Sequence, residues 1–162
     1  IRMELKMNIE PLIFECPTIK NKEKIPVIHT GRGQDSSPEF LIKNLSSHAK
    51  TLAITLEDIK HPIFKAFTHW LIWNIPANEK IPGAMPHGKF IPHLGKTQQG
   101  IGYGWHKYAG PKPPKGQQHL YRVTIYALDC EIEIKYLPIK SHFIKKAKGH
   151  IIQQWIIIGQ YD

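Results

Sequence analysis

The sequence predicts a mainly β protein, an antiparallel β-sandwich with one or two short helices and a long loop rich in proline and glycine. Apolar and polar residues alternate in several segments, as they do on a strand with one buried face. Helical periodicity is nearly absent, and residues 76–116 hold seven of the 13 prolines and eight of the 12 glycines. Many strands followed by one late helix favour a sandwich over a doubly wound sheet.

Six segments read as strands, in two groups. Residues 1–9, 52–56 and 132–136 place apolar side chains at every second position, which predicts strands with one exposed face. The other segments are apolar in both phases, as in strands covered on both faces. We expect these to be interior strands; they are residues 67–75, 119–128 and 151–158.

The segment 76–116 predicts an ordered surface loop without regular structure, because proline fixes φ at many positions and glycine allows positive φ at others. A loop of this length within one domain usually carries function. We expect Tyr103, Trp105 and Tyr108 to be buried in it. The Pro113–Pro114 step is a candidate for a cis peptide bond, since X–Pro bonds cost only about 0.5 to 1 kcal/mol in that form.

One helix is predicted over residues 141–148. Ser141 is the expected N-cap, because its hydroxyl can accept a hydrogen bond from the first turn. Lys145 and Lys146 fall in the last turn, where positive charge suits the helix dipole. Gly149 follows the expected end of the helix, as glycine commonly does.

Length and composition indicate a single soluble domain spanning residues 1–162. No apolar stretch approaches the ~20 residues of a membrane helix, and the N-terminal residues lack the pattern of a signal peptide. We therefore expect no integral membrane segment. Cys16 and Cys130 lie far apart and indicate a reduced compartment, so a cytoplasmic protein is expected.

The formal net charge is +9, and positive charge is concentrated around the long loop. Between Pro76 and Arg122 there are seven basic residues and one acidic residue, Glu79. Such a balance raises nucleic acids and anionic ligands as partners.

Three titratable residues occupy the apolar phase of predicted strands. Asp58 continues the apolar phase of its strand, His69 shares the phase of Leu71 and Trp73, and His119 directly follows the long loop. An imidazole oriented by a carboxylate can donate its other N–H group to an anion, and charge-assisted bonds to phosphate are strong. A single inward-facing histidine is more often a core residue, so the expected anion site depends on all three converging.

A set of short motifs extends over nearly the whole chain. They are a Gly-Pro-x-Pro-Pro-x-Gly stretch, a His-x-Tyr pair, a Tyr-Ala-Leu-Asp strand end, an Asp-x-x-x-Pro element, a His-Trp pair and an Asn-Ile-Pro strand end, at residues 110–116, 119–121, 126–129, 58–62, 69–70 and 74–76. Together they resemble the phosphatidylethanolamine-binding protein family, in particular its shorter bacterial and archaeal branch.

The resemblance implies a sandwich of antiparallel sheets with a small pocket for phosphate-type groups, such as phosphorylated headgroups. The residues that it implies for the border and wall of that pocket are Asp58, His69, His119, Tyr121, Gly110, Pro111, Pro113 and Pro114. Ile59, Lys60 and Leu120 replace the proline, aspartate and arginine that are typical of the family, which changes the charge at the mouth of the pocket.

We expect a binding protein with no catalytic residue, metal or cofactor. Its ligand would be a small phosphorylated or anionic group, and the resemblance implies regulation of a kinase or protease, with a homodimer as the assembly. Two alternatives remain open: a hydrolytic enzyme in which Asp58 orients His69 or His119 as a general base, and weak, salt-dependent nucleic-acid binding through the basic surface. The loop histidines match no zinc-binding spacing; they are His61, His87, His93 and His106.

Overall fold

The computed structural model describes residues 12–162. In that range the chain forms eight strands, one α-helix and two short 3₁₀ turns, at Val27–His29 and Pro92–Leu94. The strands and the helix are, in chain order, β1 (Ile13–Glu15), β2 (Phe40–Lys43), β3 (Thr51–Asp58), β4 (Phe67–Pro76), β5 (Lys80–Ile81), β6 (Gln98–Gln99), β7 (His119–Leu128), α1 (Lys140–Ala147) and β8 (Ile151–Tyr161). They build a three-stranded sheet of order β1-β2-β5 and a five-stranded sheet of order β6-β4-β3-β7-β8. All paired strands are antiparallel, and the predicted fold class is confirmed.

The main core lies between the two sheets. Phe14 and Phe40 of the small sheet pack edge to face, with ring centroids 5.7 Å apart. They belong to one buried cluster with Ile54, Trp70 and Ile125 of the large sheet. Because burying a side chain of this size contributes about 1.5–3 kcal/mol, this apolar contact holds the sheets together.

A second, smaller core lies on the opposite face of the large sheet. Leu71, Trp73 and Tyr126 pack there with Phe143 of α1. Every residue of β3 is consequently buried. The expectation that residues 52–56 have an exposed face is therefore wrong, because α1 and the chain leading into it cover that face.

The three strands expected in the interior all form. β4 and β7 are interior strands, as residues 67–75 and 119–128 predicted. β8 instead lies at the edge of the large sheet, so the interior position expected for residues 151–158 is wrong. Its apolar character in both phases does not reflect burial on both faces, since residues 154–156 are exposed.

Two other strand predictions have different outcomes. Residues 132–136 form no strand, and the prediction is wrong there: the Ile132 backbone bonds to the side chain of Asn74, and Tyr136 is exposed. The strand predicted at residues 1–9 lies outside the described residues.

The helix α1 forms close to the predicted bounds. It carries Lys145 and Lys146 in its last turn, and Gly149 follows it with a φ of 83°. Its N-cap is Ile139 rather than Ser141, and no side chain caps it. Within residues 12–162, no helix is both long enough and apolar enough to span a bilayer.

The segment 76–116 contains more regular structure than predicted, since β5, β6 and one 3₁₀ turn lie in it. Tyr108 is buried as expected, and its hydroxyl donates to the His29 carbonyl oxygen at 2.6 Å. Tyr103 and Trp105 are exposed, so their predicted burial is wrong. The cis bond considered for Pro113–Pro114 is also wrong, because every peptide bond of the described chain is trans.

Asn74 joins β4 to the chain that leads into α1. Its side-chain Nδ2 donates to the Ile132 carbonyl oxygen at 2.9 Å, and its Oδ1 accepts the Ile132 backbone N–H at 2.8 Å. Asn74 has a φ of 57° and sits where β4 carries an extra residue relative to β3. Asparagine suits this position, because it tolerates the left-handed region and pairs both polar groups of a buried peptide.

We predict that Asn74→Ala lowers the free energy of unfolding by about 3 kcal/mol, because two buried polar groups of Ile132 lose their partner at about 1–3 kcal/mol each. Chemical denaturation measures the loss. Asn44→Ala is the matched control, since Asn44 has a φ of 58° but is exposed. Its expected cost is about 1 kcal/mol from backbone strain alone, and equal losses for the two variants would contradict the role given to the Ile132 pairing.

Candidate functional site

A pocket of about 280 Å³ opens where β3 ends and where β4 and β7 begin. The antiparallel pairing of β3 with both neighbours brings these three strand ends to one edge of the large sheet. The lining residues come from these strands, from the β3–β4 connection and from the chain leading into β7; they are Asp58, His61, Pro62, Phe67, His69, Tyr103, Lys112, Pro113, Pro114, Gln117, His119 and Tyr121.

Asp58 and His119 form a buried pair in this pocket. The register opposes Asp58 to Tyr121, which leaves His119 two residues further along on the same face. The His119 Nδ1–H donates to Asp58 Oδ2 at 2.7 Å, and the other carboxylate oxygen accepts the Lys60 backbone N–H at 2.9 Å. The carboxylate thus fixes the tautomer of His119, and Nε2 is the ring atom left for a ligand.

His69 is held in the neutral form. Its Nδ1–H donates to the Ala109 carbonyl oxygen at 3.0 Å. Burial lowers the pKa of His69 below the usual value for histidine, although the hydrogen bond to Ala109 opposes that shift. At neutral pH its Nε2 therefore carries a lone pair and accepts a hydrogen bond.

A β-bulge in β4 brings His69 to the pocket. Leu56 lies opposite Trp70, and Glu57 lies opposite Thr68, so β4 has one extra residue, His69, between these pairs. A bulge of this kind re-aims side chains. The phase argument from the sequence is therefore wrong for Leu71 and Trp73, which lie in the second core while His69 lines the pocket.

The proline-rich wall contributes Lys112, Pro113 and Pro114 to the lining, whereas Gly110 and Pro111 are not lining residues. These two fasten the wall from behind. The Gly110 N–H donates to Asp35 Oδ1 at 2.7 Å, and the Pro111 carbonyl oxygen accepts the Gly31 N–H at 2.9 Å. A Cβ at Gly110 would stand 2.0 Å from a backbone oxygen, so only glycine permits this close approach.

The structure brings together the other six residues that the sequence singled out: Asp58, His69, Pro113, Pro114, His119 and Tyr121. Sequence reasoning missed half of the lining, namely His61, Pro62, Phe67, Tyr103, Lys112 and Gln117. Most of these flank a recognised motif directly, and that proximity was the available signal. Tyr103 has no such neighbour, because only the folding of the long loop brings its ring within 5.0 Å of His69.

The chemistry of the lining combines hydrogen-bond donors with aromatic walls. Lys112 supplies a positive charge, and His119 supplies a ring nitrogen oriented by Asp58. Burial raises the pKa of Tyr121, with the Asp58 charge adding to the effect, so the phenol keeps its proton and remains a donor. The described lining contains no serine, threonine or cysteine that could act as a nucleophile.

We predict that His69 makes folding stability fall as the pH is lowered. Its folded-state pKa lies below the unfolded value, so the unfolded chain binds the proton more tightly. Stability is therefore lost as the pH falls through the unfolded pKa of about 6.5 and continues to fall down to the folded pKa. Chemical denaturation of wild type and His69→Gln between pH 8 and pH 5, in a buffer without phosphate or sulfate, measures the difference. The variant should lose less stability, and parallel profiles would contradict the lowered pKa.

Comparisons with known proteins agree with this geometry. A family model described as phosphatidylethanolamine-binding protein matches residues 15–162. A UPF0098 protein of Pyrococcus abyssi is 35% identical over 155 residues, covering 94% of this chain and 86% of its own length. The UPF0098 protein YbhB of Escherichia coli is 29% identical over 119 residues, covering 70% and 75%.

Two solved structures share the fold at 22% sequence identity. One is E. coli YbcL, described as a member of the mammalian PEBP family, with a TM-score of 0.82 over 94% of this chain and 99% of the other. The second is the Chlamydia trachomatis protein CT736, described as a putative PEBP homolog, with a TM-score of 0.81 over 94% and 97%. The extent of the family match, together with the 35% identity to the archaeal relative, shows that this chain belongs to the phosphatidylethanolamine-binding protein family.

Proposed function

We propose that the pocket binds a small anionic group of the phosphate type, such as a phosphorylated headgroup, a small phosphorylated molecule or a phosphorylated side chain. The observation that carries the proposal is the Asp58–His119 pair, in which a 2.7 Å hydrogen bond orients a buried imidazole. Its free Nε2 and the Lys112 side chain line the same pocket. A protonated imidazole and an ammonium group are the donors that bind phosphate oxygens most strongly.

The size of the pocket limits the ligand. Its volume of about 280 Å³ lies at the lower end of small-molecule sites, which run from about 300 to 1,000 Å³. A phosphate with a short substituent fits this space, whereas the acyl chains of a lipid would have to remain outside. The binding group is therefore a headgroup-sized anion.

The aromatic walls favour a planar, tight enclosure of that group. The Tyr121 ring meets the His69 ring edge-on at 5.5 Å, and Phe67 meets His69 in the same way at 5.6 Å. These contacts hold His69 in one orientation. An anion that reaches its Nε2 would favour protonation there, since the added N–H becomes a donor to the ligand.

The enzyme alternative uses the same pair of residues. An imidazole oriented by a carboxylate is the arrangement of a general base. The lining offers no side-chain nucleophile, so a hydrolytic reaction would have to proceed by activation of water. The two functions differ in pH dependence, because a base must be neutral whereas an anion site gains from protonation.

The family relationship supports wider proposals about the setting of this pocket. The ligand would couple to regulation of a partner kinase or protease, with a phosphorylated side chain of the partner as one source of the anion, and the protein would act as a homodimer. A cytoplasmic location is supported by the free thiols of Cys16 and Cys130. Weak, salt-dependent nucleic-acid binding through the +9 surface would be a background activity.

We predict that His119→Ala weakens binding of phosphorylethanolamine by about 1.5–3 kcal/mol, the contribution of a hydrogen bond to a charged group. Isothermal titration calorimetry at pH 6 measures the loss. His48→Ala is the matched control, since His48 is exposed and lies outside the pocket lining. Equal affinities in wild type and both variants would refute the anion site.

Sulfate affinity should increase as the pH falls from 8 to 5.5, because protonation of His69 adds a donor and a positive charge while sulfate keeps its own charge constant. The lowered pKa of His69 places much of the increase at the acidic end of this range. Calorimetry on wild type and His69→Gln tests the source, and the variant should show a flatter profile. A catalytic activity that rises with pH, combined with pH-independent sulfate binding, would support the enzyme instead.

A further inference from the structure

A cluster of three metal-ligating side chains lies at the far end of the large sheet, outside the pocket. Asp129 and Cys130 directly follow β7, and His150 directly precedes β8. Their donor atoms, a carboxylate oxygen, a thiol sulfur and a ring nitrogen, all lie within 4.8 Å of one another. They are separated from the pocket by nearly the whole of β7, because Tyr121 and Asp129 are eight residues apart, or roughly 25 Å along a strand.

The backbone beneath this cluster is fixed by hydrogen bonds of the sheet. The Asp129 N–H donates to the His150 carbonyl oxygen at 3.0 Å, which continues the pairing of β7 with β8. The Thr51 hydroxyl donates to the Cys130 carbonyl oxygen at 2.7 Å. Both sides of the cluster therefore start from positions set by the fold, so side-chain rotations alone can close it around an ion.

We propose that Asp129, Cys130 and His150 form a binding site for Zn²⁺ or another divalent transition metal that accepts sulfur, nitrogen and oxygen ligands. Tetrahedral zinc with bonds of about 2.0–2.3 Å separates its donor atoms by roughly 3.3–3.6 Å. The present spread of up to 4.8 Å requires only a small contraction. The side chains of His150 and Asp129 are 48% and 41% exposed, so a fourth position faces solvent and would hold water.

The proton balance of metal binding follows from the hydrogen bonds of the cluster. The His150 Nδ1–H now donates to Asp129 Oδ1 at 2.9 Å, which is closer than two ligands of one metal would stand. The metal replaces this proton, and the ring shifts its N–H to Nε2. Burial and the neighbouring Asp129 charge raise the pKa of the Cys130 thiol, so the S–H bond breaks as the sulfur–metal bond forms, and one proton passes to solvent.

A metal at this position would act on stability. Residues 131–149 leave the sheet after β7 and return to it at β8, and they carry α1 and Ile132, which cover the second core. The three ligands join the two ends of this excursion. A metal that binds the folded chain and not the unfolded chain would raise the melting temperature in proportion to its saturation.

Cobalt is the probe that reports on the sulfur ligand. Titration of Co²⁺ into the reduced protein should produce a near-ultraviolet charge-transfer band from thiolate to cobalt, which added Zn²⁺ should abolish at one equivalent. We expect Cys130→Ser to remove the band and His150→Ala to weaken Co²⁺ affinity at least tenfold, within the range for the loss of a ligand or its partner. Zn²⁺ should also raise the melting temperature of wild type and leave that of His150→Ala unchanged.

Two variants control for other sulfur and nitrogen ligands. Cys16 is buried beside Thr18, and His142 is a helix histidine outside the cluster. Cys16→Ser and His142→Ala should both keep the band and the thermal shift. Circular dichroism confirms that each variant is folded, and His150→Gln provides a second test at that position.

Three outcomes would overturn the proposal: no charge-transfer band in wild type, a band that survives Cys130→Ser, or an equal loss of Co²⁺ affinity in His142→Ala. The result is independent of the anion pocket. His119→Ala should leave the cobalt band unchanged, and Cys130→Ser should leave sulfate affinity unchanged, so failure of one site is distinguishable from failure of the other.

Discussion

The burial of β3 on both faces is the constraint on which the rest of the structure depends. This strand pairs with β4 on one side and β7 on the other, and all eight of its residues are buried. Its inner face requires the small sheet as cover, and its outer face requires α1. Since no face of β3 can be left to solvent, the helix and the irregular chain around it belong to the core.

The two acidic residues at the end of β3 show how alternation distributes chemistry between the two faces. Glu57 points to the outer face, where its carboxylate accepts hydrogen bonds from Arg122 at 3.2 Å and from Lys140, at the start of α1, at 2.5 Å. Asp58 points to the inner face and orients His119. One carboxylate thus fastens the helix, and its neighbour prepares a ligand site, because successive side chains of a strand face opposite ways.

The pocket is a product of irregularities imposed on a regular sheet. A bulge in β4 turns His69 inward, and Gly110 lets the long loop approach another backbone closely enough to stand as a wall. The wall is held by backbone hydrogen bonds at Gly110 and Pro111 rather than by contacts within the pocket. A ligand therefore meets a site whose shape is established before binding, which lowers the ordering cost of association.

The sequence by itself determined the fold class, the two long central strands and the positions of Asp58 and His119, because a period of two is a local property that needs no knowledge of distant residues. Motifs along the chain also determined the family. Tertiary structure alone decided that residues 52–56 are covered twice, that β8 lies at an edge, and that Tyr103 meets His69. Each of these outcomes depends on which distant segment packs against a given face, and neither periodicity nor composition carries that information.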